Sequence, residues 1–351
     1  MPKNPLLEFT DKGIYCDQGK FYVDPWKPVD DAVITHAHSD HAHWGHSHYL
    51  AHHLSKQVLL YRLGDINLQT VEYGQQIIKN GVSISLFPAG HVIGSAQIRV
   101  EYQGEIWVVS GDYKLEDDGI SAPFEPVKCH NFISECTFGM PVYQWKPQIQ
   151  IFEEINSWWR SNLDNGLATV LVGYSLGKAQ RVLQNLDLFN GRVYTHGAIE
   201  NVNQALRGNG VQLRPTERII YSTPKEEIRK GIVLAPPSAV GSAWMRRFAP
   251  YNFGYCSGWM AIRGAKRRTA ADRGFVLSDH ADWDGLITAI DATGCECVYL
   301  THGYTAVFSR YLNQIGYNAC EVHTLYGDEK EEIEGGDKEV SVSTENTGGS
   351  L

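Results

Sequence analysis

The sequence lacks any uninterrupted apolar run of the ~20 residues that a membrane-spanning helix requires. Its first residues, Met1 to Pro5, also lack the apolar core of a secretory signal peptide. The seven cysteines are odd in number and scattered, apart from Cys295 and Cys297, so they do not form the pattern of a disulfide framework. These absences predict a cytoplasmic protein with reduced, strand-buried thiols and no contact with a membrane.

A net positive charge is also absent, because the 351 residues sum to −9, which by itself disfavours a polyanionic partner. Residues 327–351 hold eight acidic side chains and two lysines, and their polar composition predicts a disordered acidic tail. Without that tail the chain carries only −3. Seven basic side chains against one acidic side chain occupy 231–275, and this local patch is compatible with a nucleic-acid partner.

The hydrophobic pattern changes twice along the chain. Residues 1–139 consist of short alternating segments that predict strands. From about residue 149 the pattern becomes helical, and strand, turn and helix alternate through 168–188, which is typical of a parallel α/β unit. Segments 274–280 and 297–302 again have the pattern that predicts strands. The sequence therefore predicts an α/β fold.

The densest chemical signal is the run from His36 to His41, in which four of six side chains can bind a transition metal. It follows the apolar segment 32–34, so a strand ends in a loop that can aim three imidazoles and a carboxylate at one point. Imidazole with carboxylate suits zinc, manganese or iron, and two close pairs of ligands predict two metals. The alternative is a histidine-rich surface loop without a metal, which the density of the run disfavours.

Five further polar side chains stand at the ends of predicted strands, several of them beside glycine. They are His91, Asp112, Glu135, His280 and His302. Any one of them alone is more often structural than catalytic. Their repetition favours a shared site, because side chains at strand ends along one edge of a sheet would converge with the opening run.

The order of these residues resembles the metallo-β-lactamase superfamily. The matching positions are Asp24, His36, His38, Asp40, His41, His91 and Asp112. Glu135, His280 and His302 resemble the three additional motifs of its β-CASP nuclease branch. Segment 174–181 is similar to part of the inserted β-CASP domain, and 257–260 and 273–283 resemble bacterial DNA-ligase-associated exonucleases, relatives of the Artemis-type repair nucleases.

The resemblance covers roughly residues 10–326 and implies a fold and a domain organisation. Residues 1–139 and 274–326 would form an αββα metallo-β-lactamase sandwich. Residues 140–273 would form an inserted α/β β-CASP domain, which leaves 327–351 as the acidic tail.

The same resemblance implies a centre of two divalent metals, zinc in the first place and manganese as the alternative. His36, His38 and His91 would hold one ion, Asp40, His41 and His302 the other, and Asp112 would bridge them. Asp24 would fix the loop that carries the histidines. His280 would donate a proton to the leaving oxygen, with Glu135 holding its imidazole, so the catalytic set is Asp40, Asp112, Glu135 and His280.

A nuclease must also bind phosphates outside its metal centre. Ser175, Gly177 and Lys178 are predicted to form a strand-to-helix turn that binds a phosphate. The basic side chains predicted to follow the nucleic-acid backbone are Arg263, Lys266, Arg267 and Arg268. Trp259 either stacks on a base or is buried in the core, and burial is the more common state for a tryptophan.

Together these features predict a metal-dependent DNA exonuclease of DNA repair that acts on single strands or duplex ends. By family resemblance its partners would include an ATP-dependent DNA ligase and a helicase. An RNA-processing β-CASP ribonuclease is the main alternative, because histidine at the position of His302 is usual in the RNA-cleaving branch. A small-molecule metallo-hydrolase and a non-enzymatic scaffold are the remaining alternatives.

Overall fold

The computed structural model describes residues 5–188, 191–322 and 324, and the predicted acidic tail lies outside this range. The described chain forms three β-sheets with helices on their faces. The predicted α/β fold is confirmed. Within the described residues, every helix is too short or too polar to cross a membrane.

The first sheet has six strands, which neighbour one another in chain order. They are β1 (Glu8–Phe9), β2 (Ile14–Cys16), β3 (Phe21–Val23), β4 (Asp31–Val33), β5 (His48–His52) and β6 (Leu68–Val71). Strands β3 to β6 pair in parallel, so their carboxyl ends lie along one edge. Helix α1 (Lys56–Leu63) packs on this sheet through Val58 and Leu59.

The second sheet has seven strands in the order β19-β18-β11-β10-β9-β8-β7. They are β7 (Gln76–Lys79), β8 (Val82–Pro88), β9 (Ala96–Tyr102), β10 (Glu105–Val109), β11 (Asn131–Cys136), β18 (Cys297–Gly303) and β19 (Asn318–Glu321). Helices α8 (Trp283–Thr293) and α9 (Thr305–Gln314) pack against one face of this sheet through Leu286 and Phe308.

A core of buried apolar side chains joins the first two sheets. Alternate residues of β9, namely Ala96, Ile98 and Val100, point into it because side chains along a strand alternate between faces. They meet Phe21 and Val23 of the first sheet. With helices on the outer faces of both sheets, the arrangement is the αββα sandwich that the resemblance implies.

The third sheet has six parallel strands in the order β14-β13-β15-β12-β16-β17. They are β12 (Ala168–Val172), β13 (Val193–Thr195), β14 (Glu217–Arg218), β15 (Ile232–Ala235), β16 (Tyr251–Cys256) and β17 (Arg273–Phe275). The helices of this part are α2 (Gln148–Asp164), α3 (Lys178–Asn185), α4 (Gly197–Gly208), α5 (Lys225–Arg229), α6 (Ala243–Arg246) and α7 (Arg263–Arg268).

Apolar clusters cover both faces of the third sheet, so every residue of β12 is buried, as is usual in parallel sheets. Strand β17 runs to Phe275, two residues past the predicted end of the inserted segment at 273. The chain then returns to the second sheet through α8 and β18. The division of the chain into a sandwich and an inserted domain remains our proposal.

Candidate metal centre

The predicted ligands stand at the ends of strands from the first two sheets. His36 to His41 follow β4, His91 follows β8, Asp112 follows β10 and His302 lies near the end of β18. Gly90, with φ +74°, allows the tight turn before His91, because a Cβ there would lie 2.1 Å from the Lys114 carbonyl oxygen.

Asp112 lies at the middle of the cluster. Its Oδ1 is 3.0 Å from His302 Nε2, and its Oδ2 is 3.4 Å from His36 Nε2 and 3.5 Å from His41 Nε2. His91 Nε2 lies 3.7 Å from the same Oδ2. One buried carboxylate therefore faces four imidazole nitrogens, which is the geometry expected of a group shared between two cations.

The remaining two predicted ligands join this cluster. His38 Nδ1 is 3.2 Å from His36 Nε2 and 3.1 Å from His91 Nε2, while Asp40 Oδ2 is 3.6 Å from His41 Nε2. Potential ligand atoms of His36, His38, His91 and Asp112 lie within 4.8 Å of one another, and so do those of His41, Asp112 and His302. The two groups share Asp112. The assignment of each side chain to one metal stays a prediction.

Each imidazole of the cluster is held on its outer nitrogen by a hydrogen bond. The pairs are His36 Nδ1 with Thr35 Oγ1 (3.1 Å), His38 Nε2 with Leu176 O (3.2 Å), His41 Nδ1 with Asp24 Oδ2 (2.8 Å), His91 Nδ1 with Asp279 O (2.8 Å) and His302 Nδ1 with Thr301 Oγ1 (3.3 Å). An imidazole that donates from one nitrogen keeps a lone pair on the other. The inner nitrogens are therefore oriented to bind cations.

Asp24 is buried and lies where the resemblance implies. Its carboxylate accepts from the Thr35 amide and hydroxyl as well as from His41 Nδ1, so it ties the loop to a ligand. Thr35 and Thr301 are not among the residues predicted from the sequence. Both precede a predicted ligand in a Thr-His pair, and this repeated dipeptide was the available signal.

The charges of the cluster fit divalent cations. Burial and the neighbouring imidazoles hold the pKa of His36 and of His91 well below its ordinary value, so both side chains are neutral. Burial also lowers the pKa of His41, but the carboxylates of Asp112, Asp40 and Asp24 outweigh it and raise the value to about 10. The carboxylates thus attract positive charge to this centre, and the neutral imidazoles offer lone pairs to it.

A second acid–base pair adjoins the cluster. His280 Nδ1 is 3.0 Å from Glu135 Oε1 and 2.9 Å from Oε2, and both side chains are buried. Glu135 also accepts from the Tyr113 amide at 2.8 Å and the Thr137 hydroxyl at 2.6 Å. Potential ligand atoms of Asp112, Glu135 and His280 lie within 4.8 Å of one another. A carboxylate-oriented imidazole therefore stands beside the candidate metal centre.

The turn from Ser175 to Lys178, predicted to bind a phosphate, precedes and begins α3. Lys178 is buried, and its Nζ pairs with Asp279 Oδ2 at 2.9 Å, so it offers no cation to solvent. Arg181 joins the same carboxylate at 3.3 Å. The Leu176 carbonyl of this turn contacts His38. The Lys178 side chain therefore joins α3 to the residue that precedes His280.

The Lys178–Asp279 pair should contribute strongly to stability. Lys178→Met is expected to lower the free energy of unfolding by about 3 kcal/mol, because it leaves a buried carboxylate with only Arg181 as counterion. Urea denaturation measures the change. Lys230→Met is the matched control: its pair with Glu227 is exposed, so stability should not change measurably. Equal midpoints for Lys178→Met and the wild type would contradict the prediction.

The pH dependence of this stabilisation has a defined sign. Burial raises the pKa of Asp279, but Lys178 and Arg181 outweigh it and hold the value well below its ordinary range. The folded-state pKa is therefore below the unfolded value of about 3.9. The stabilisation is present above that pH and is lost as the pH falls towards the folded-state pKa. The difference between wild type and Lys178→Met should accordingly shrink in acid.

The predicted basic side chains are only partly described. Arg263 and Arg267 are exposed and line a surface hollow with Ala270 and Ala271. The side chains of Lys266 and Arg268 lie outside the described ones. Trp259 is buried against Phe138, so of the two alternatives predicted for it, burial in the core is the one observed.

Comparisons with known proteins give relatives of two kinds. A Probable DNA ligase from Opitutus terrae is 29% identical over 314 residues, which are 88% of this chain and 30% of that protein. Endoribonuclease YSH1 from Saccharomyces cerevisiae is 30% identical over 122 residues, 34% of this chain and 15% of that protein. The matched region thus spans less than a third of either curated relative. No family model matches the chain.

A solved structure gives the fold-level comparison. The crystal structure of a protein of unknown function from Enterococcus faecalis V583 has a TM-score of 0.57 and 12% identity, and the match covers 85% of this chain and 80% of that one. At this identity the likeness concerns the fold alone. The order of motifs, the clustered side chains and the sequence relatives together support the resemblance to the β-CASP branch of the metallo-β-lactamase superfamily.

Proposed function

We propose that this protein is a metal-dependent phosphodiesterase that cleaves nucleic acid. The observation that carries the proposal is the Glu135–His280 pair beside Asp112. Hydrolysis of a phosphodiester expels an alkoxide, which needs a proton, whereas the metal cluster alone would serve any hydrolase of the superfamily. A buried imidazole held by a carboxylate supplies such a proton next to the reacting phosphate.

The donor set suits two divalent ions, for which we propose zinc. His36, His38 and His91 would hold one and Asp40, His41 and His302 the other, with Asp112 between them. Two such cations supply Lewis acidity, which acidifies water and neutralises the charge that develops on a phosphate. The protein fixes the direction of the five imidazole ligands through hydrogen bonds on their outer nitrogens.

The remaining roles belong to the chain's own acid–base groups. With His280 Nδ1 held by Glu135, the proton that can be transferred is the one on Nε2. The Glu135 carboxylate stabilises the cationic form of His280 and fixes its tautomer. Exposed Arg263 and Arg267 would attract the strand's phosphates at long range.

We propose DNA as the substrate and exonucleolytic cleavage in DNA repair as the process. The relative that matches 88% of the chain bears the name Probable DNA ligase, which supports DNA and a functional association with a ligase. RNA is the second candidate, because relatives matching 34% of the chain are named endoribonucleases. His302, whose Nε2 lies 3.0 Å from Asp112, also favours RNA by resemblance.

Digestion of matched, end-labelled DNA and RNA strands with Zn²⁺ or Mn²⁺ tests this proposal. We expect DNA to be cleaved at least about tenfold faster than RNA, a difference that corresponds to about 1.4 kcal/mol of discrimination at the transition state. The ladder of products separates successive removal of end nucleotides from internal cleavage. Faster cleavage of RNA would reverse the substrate assignment, and cleavage of neither strand would reject the proposed function.

A further inference from the structure

Trp44 is the one fully exposed tryptophan of nine, all of which lie in the described chain. Its side chain is 74% exposed, whereas the other eight are buried or half-buried. Tryptophan is among the most expensive side chains to leave in water, because its ring system buries a large apolar area in most proteins. Its exposure leaves both faces of the indole available to a ligand.

Hydrogen bonds to buried side chains hold the loop that carries Trp44 in place. The buried Tyr49 hydroxyl donates to the His43 carbonyl and accepts from the His46 amide, both at 3.0 Å. The buried His46 ring accepts from the Val29 amide at 3.3 Å. His43 and His46, which lie one and two positions from Trp44, are therefore held in place. The backbone on both sides of the exposed indole is therefore ordered before a ligand binds. Little backbone conformational entropy is lost on binding for that reason.

The same loop continues directly from the segment that carries the predicted metal ligands. The Asp40 side chain is 23% exposed, whereas those of His36 and Asp112 are almost fully buried, so the cluster meets solvent on the Asp40 side. His43 Nε2 donates to the Asp40 carbonyl at 3.0 Å, which ties the residue before Trp44 to the backbone of a predicted ligand. Four residues of chain reach at most ~14 Å, so the indole of Trp44 lies within a few nucleotides of the opening.

We infer that Trp44 is a stacking platform for an unpaired base of the strand whose phosphate occupies the metal centre. This inference rests on the proposed function and adds a substrate preference to it. The indole offers two apolar π-faces, which suit any base without regard to sequence. In a duplex the base faces are already stacked on their neighbours, so only a single strand presents a face along its length. The platform therefore favours single-stranded nucleic acid.

The surroundings of Trp44 favour a base over a protein partner. A protein-binding surface normally shows a contiguous apolar patch of several hundred Å². Here the exposed residues that follow Trp44 along the chain are Ser47 and His48, which are polar, and Gly45 between them and Trp44 is half-buried. A single large ring among such residues matches the scale of one base.

Equilibrium binding of a fluorescently labelled single DNA strand, measured by anisotropy in EDTA, tests the inference without requiring cleavage. Trp44→Ala should weaken binding about tenfold, the scale of one lost base stack, and Trp44→Phe should retain most of the affinity. A blunt duplex should show less than a twofold change for Trp44→Ala. Ile78→Ala is the control, because Ile78 is 62% exposed on β7, which pairs with the end of β8 away from His91.

The outcomes separate this inference from the proposed function. If Trp44→Ala binds the single strand within twofold of the wild type, or weakens the duplex equally, the platform is rejected even when the enzyme cleaves DNA. Failure of the wild type to bind any strand rejects it as well. If binding depends on Trp44 but no strand is cleaved with Zn²⁺ or Mn²⁺, the platform stands and the nuclease proposal fails.

Discussion

Asp112→Ala is expected to reduce kcat on a labelled DNA strand by at least about 10³-fold, more than the loss typical of removing one electrostatic stabiliser from an active site. The physical reason is its position, because its carboxylate lies 3.0–3.7 Å from nitrogens of four imidazoles that three different strand ends supply. Removing its side chain takes away the one carboxylate that the His36, His38 and His91 group shares with the His41 and His302 group. Bound zinc should fall from about two ions per chain to one or none, which elemental analysis measures.

Two further variants sharpen this experiment. Asp112→Asn keeps the shape of the side chain but loses its charge, so it should also lose metal and activity. Asp164→Ala removes an exposed carboxylate at the end of α2 and should leave both quantities unchanged. If Asp112→Ala retained two zinc ions per chain, the role of Asp112 as the shared ligand would have to be abandoned.

The centre could be predicted from sequence because its ligands are local features of strand ends. The run from His36 to His41 is recognisable as a candidate metal site because four of its six side chains can bind a metal. His91, Asp112 and His302 each follow a recognisable apolar segment. The packing of the first two sheets against each other then brings these strand ends together. The fold class followed from the same periodicities, since β9 alternates and the wholly buried β12 does not.

Other features depend on tertiary packing, which the sequence pattern does not encode. Lys178 and Asp279 are 101 positions apart, and nothing near either residue indicates that they pair. Lys178 was therefore interpreted as a phosphate ligand from its local context alone. Trp44 and Trp259 illustrate the same limit: each stands next to one glycine, yet Trp44 is 74% exposed and Trp259 is 5% exposed.

The buried Asp279 has a wider role than its pair with Lys178. Its carbonyl accepts from His91 Nδ1 at 2.8 Å, and it immediately precedes His280. The ion pairs that join α3 to Asp279 therefore hold a segment that orients both a predicted metal ligand and the predicted acid. Packing of the third sheet against the sandwich is in this way linked to the chemistry of the centre.

His280→Ala is the second change with a large expected effect, a loss of about 10²- to 10⁴-fold in kcat on DNA. The zinc content should stay near that of the wild type, because the predicted ligands do not include His280. Glu135→Gln should cost less, since its amide oxygen still accepts from His280 Nδ1 but no longer carries the charge that stabilises the imidazolium. His48→Ala, which removes an exposed histidine, is the control.

The choice of leaving group distinguishes proton donation from a structural role for His280. A nucleotide ester of p-nitrophenol expels a weakly basic phenolate, which needs little protonation, whereas the 3′- or 5′-oxygen of DNA leaves as a strongly basic alkoxide. If His280 supplies the proton, His280→Ala should hydrolyse the ester with a far smaller loss than it shows on DNA. Equal losses on both substrates would mean that His280 maintains the shape of the site, and the proton donor would have to be sought elsewhere.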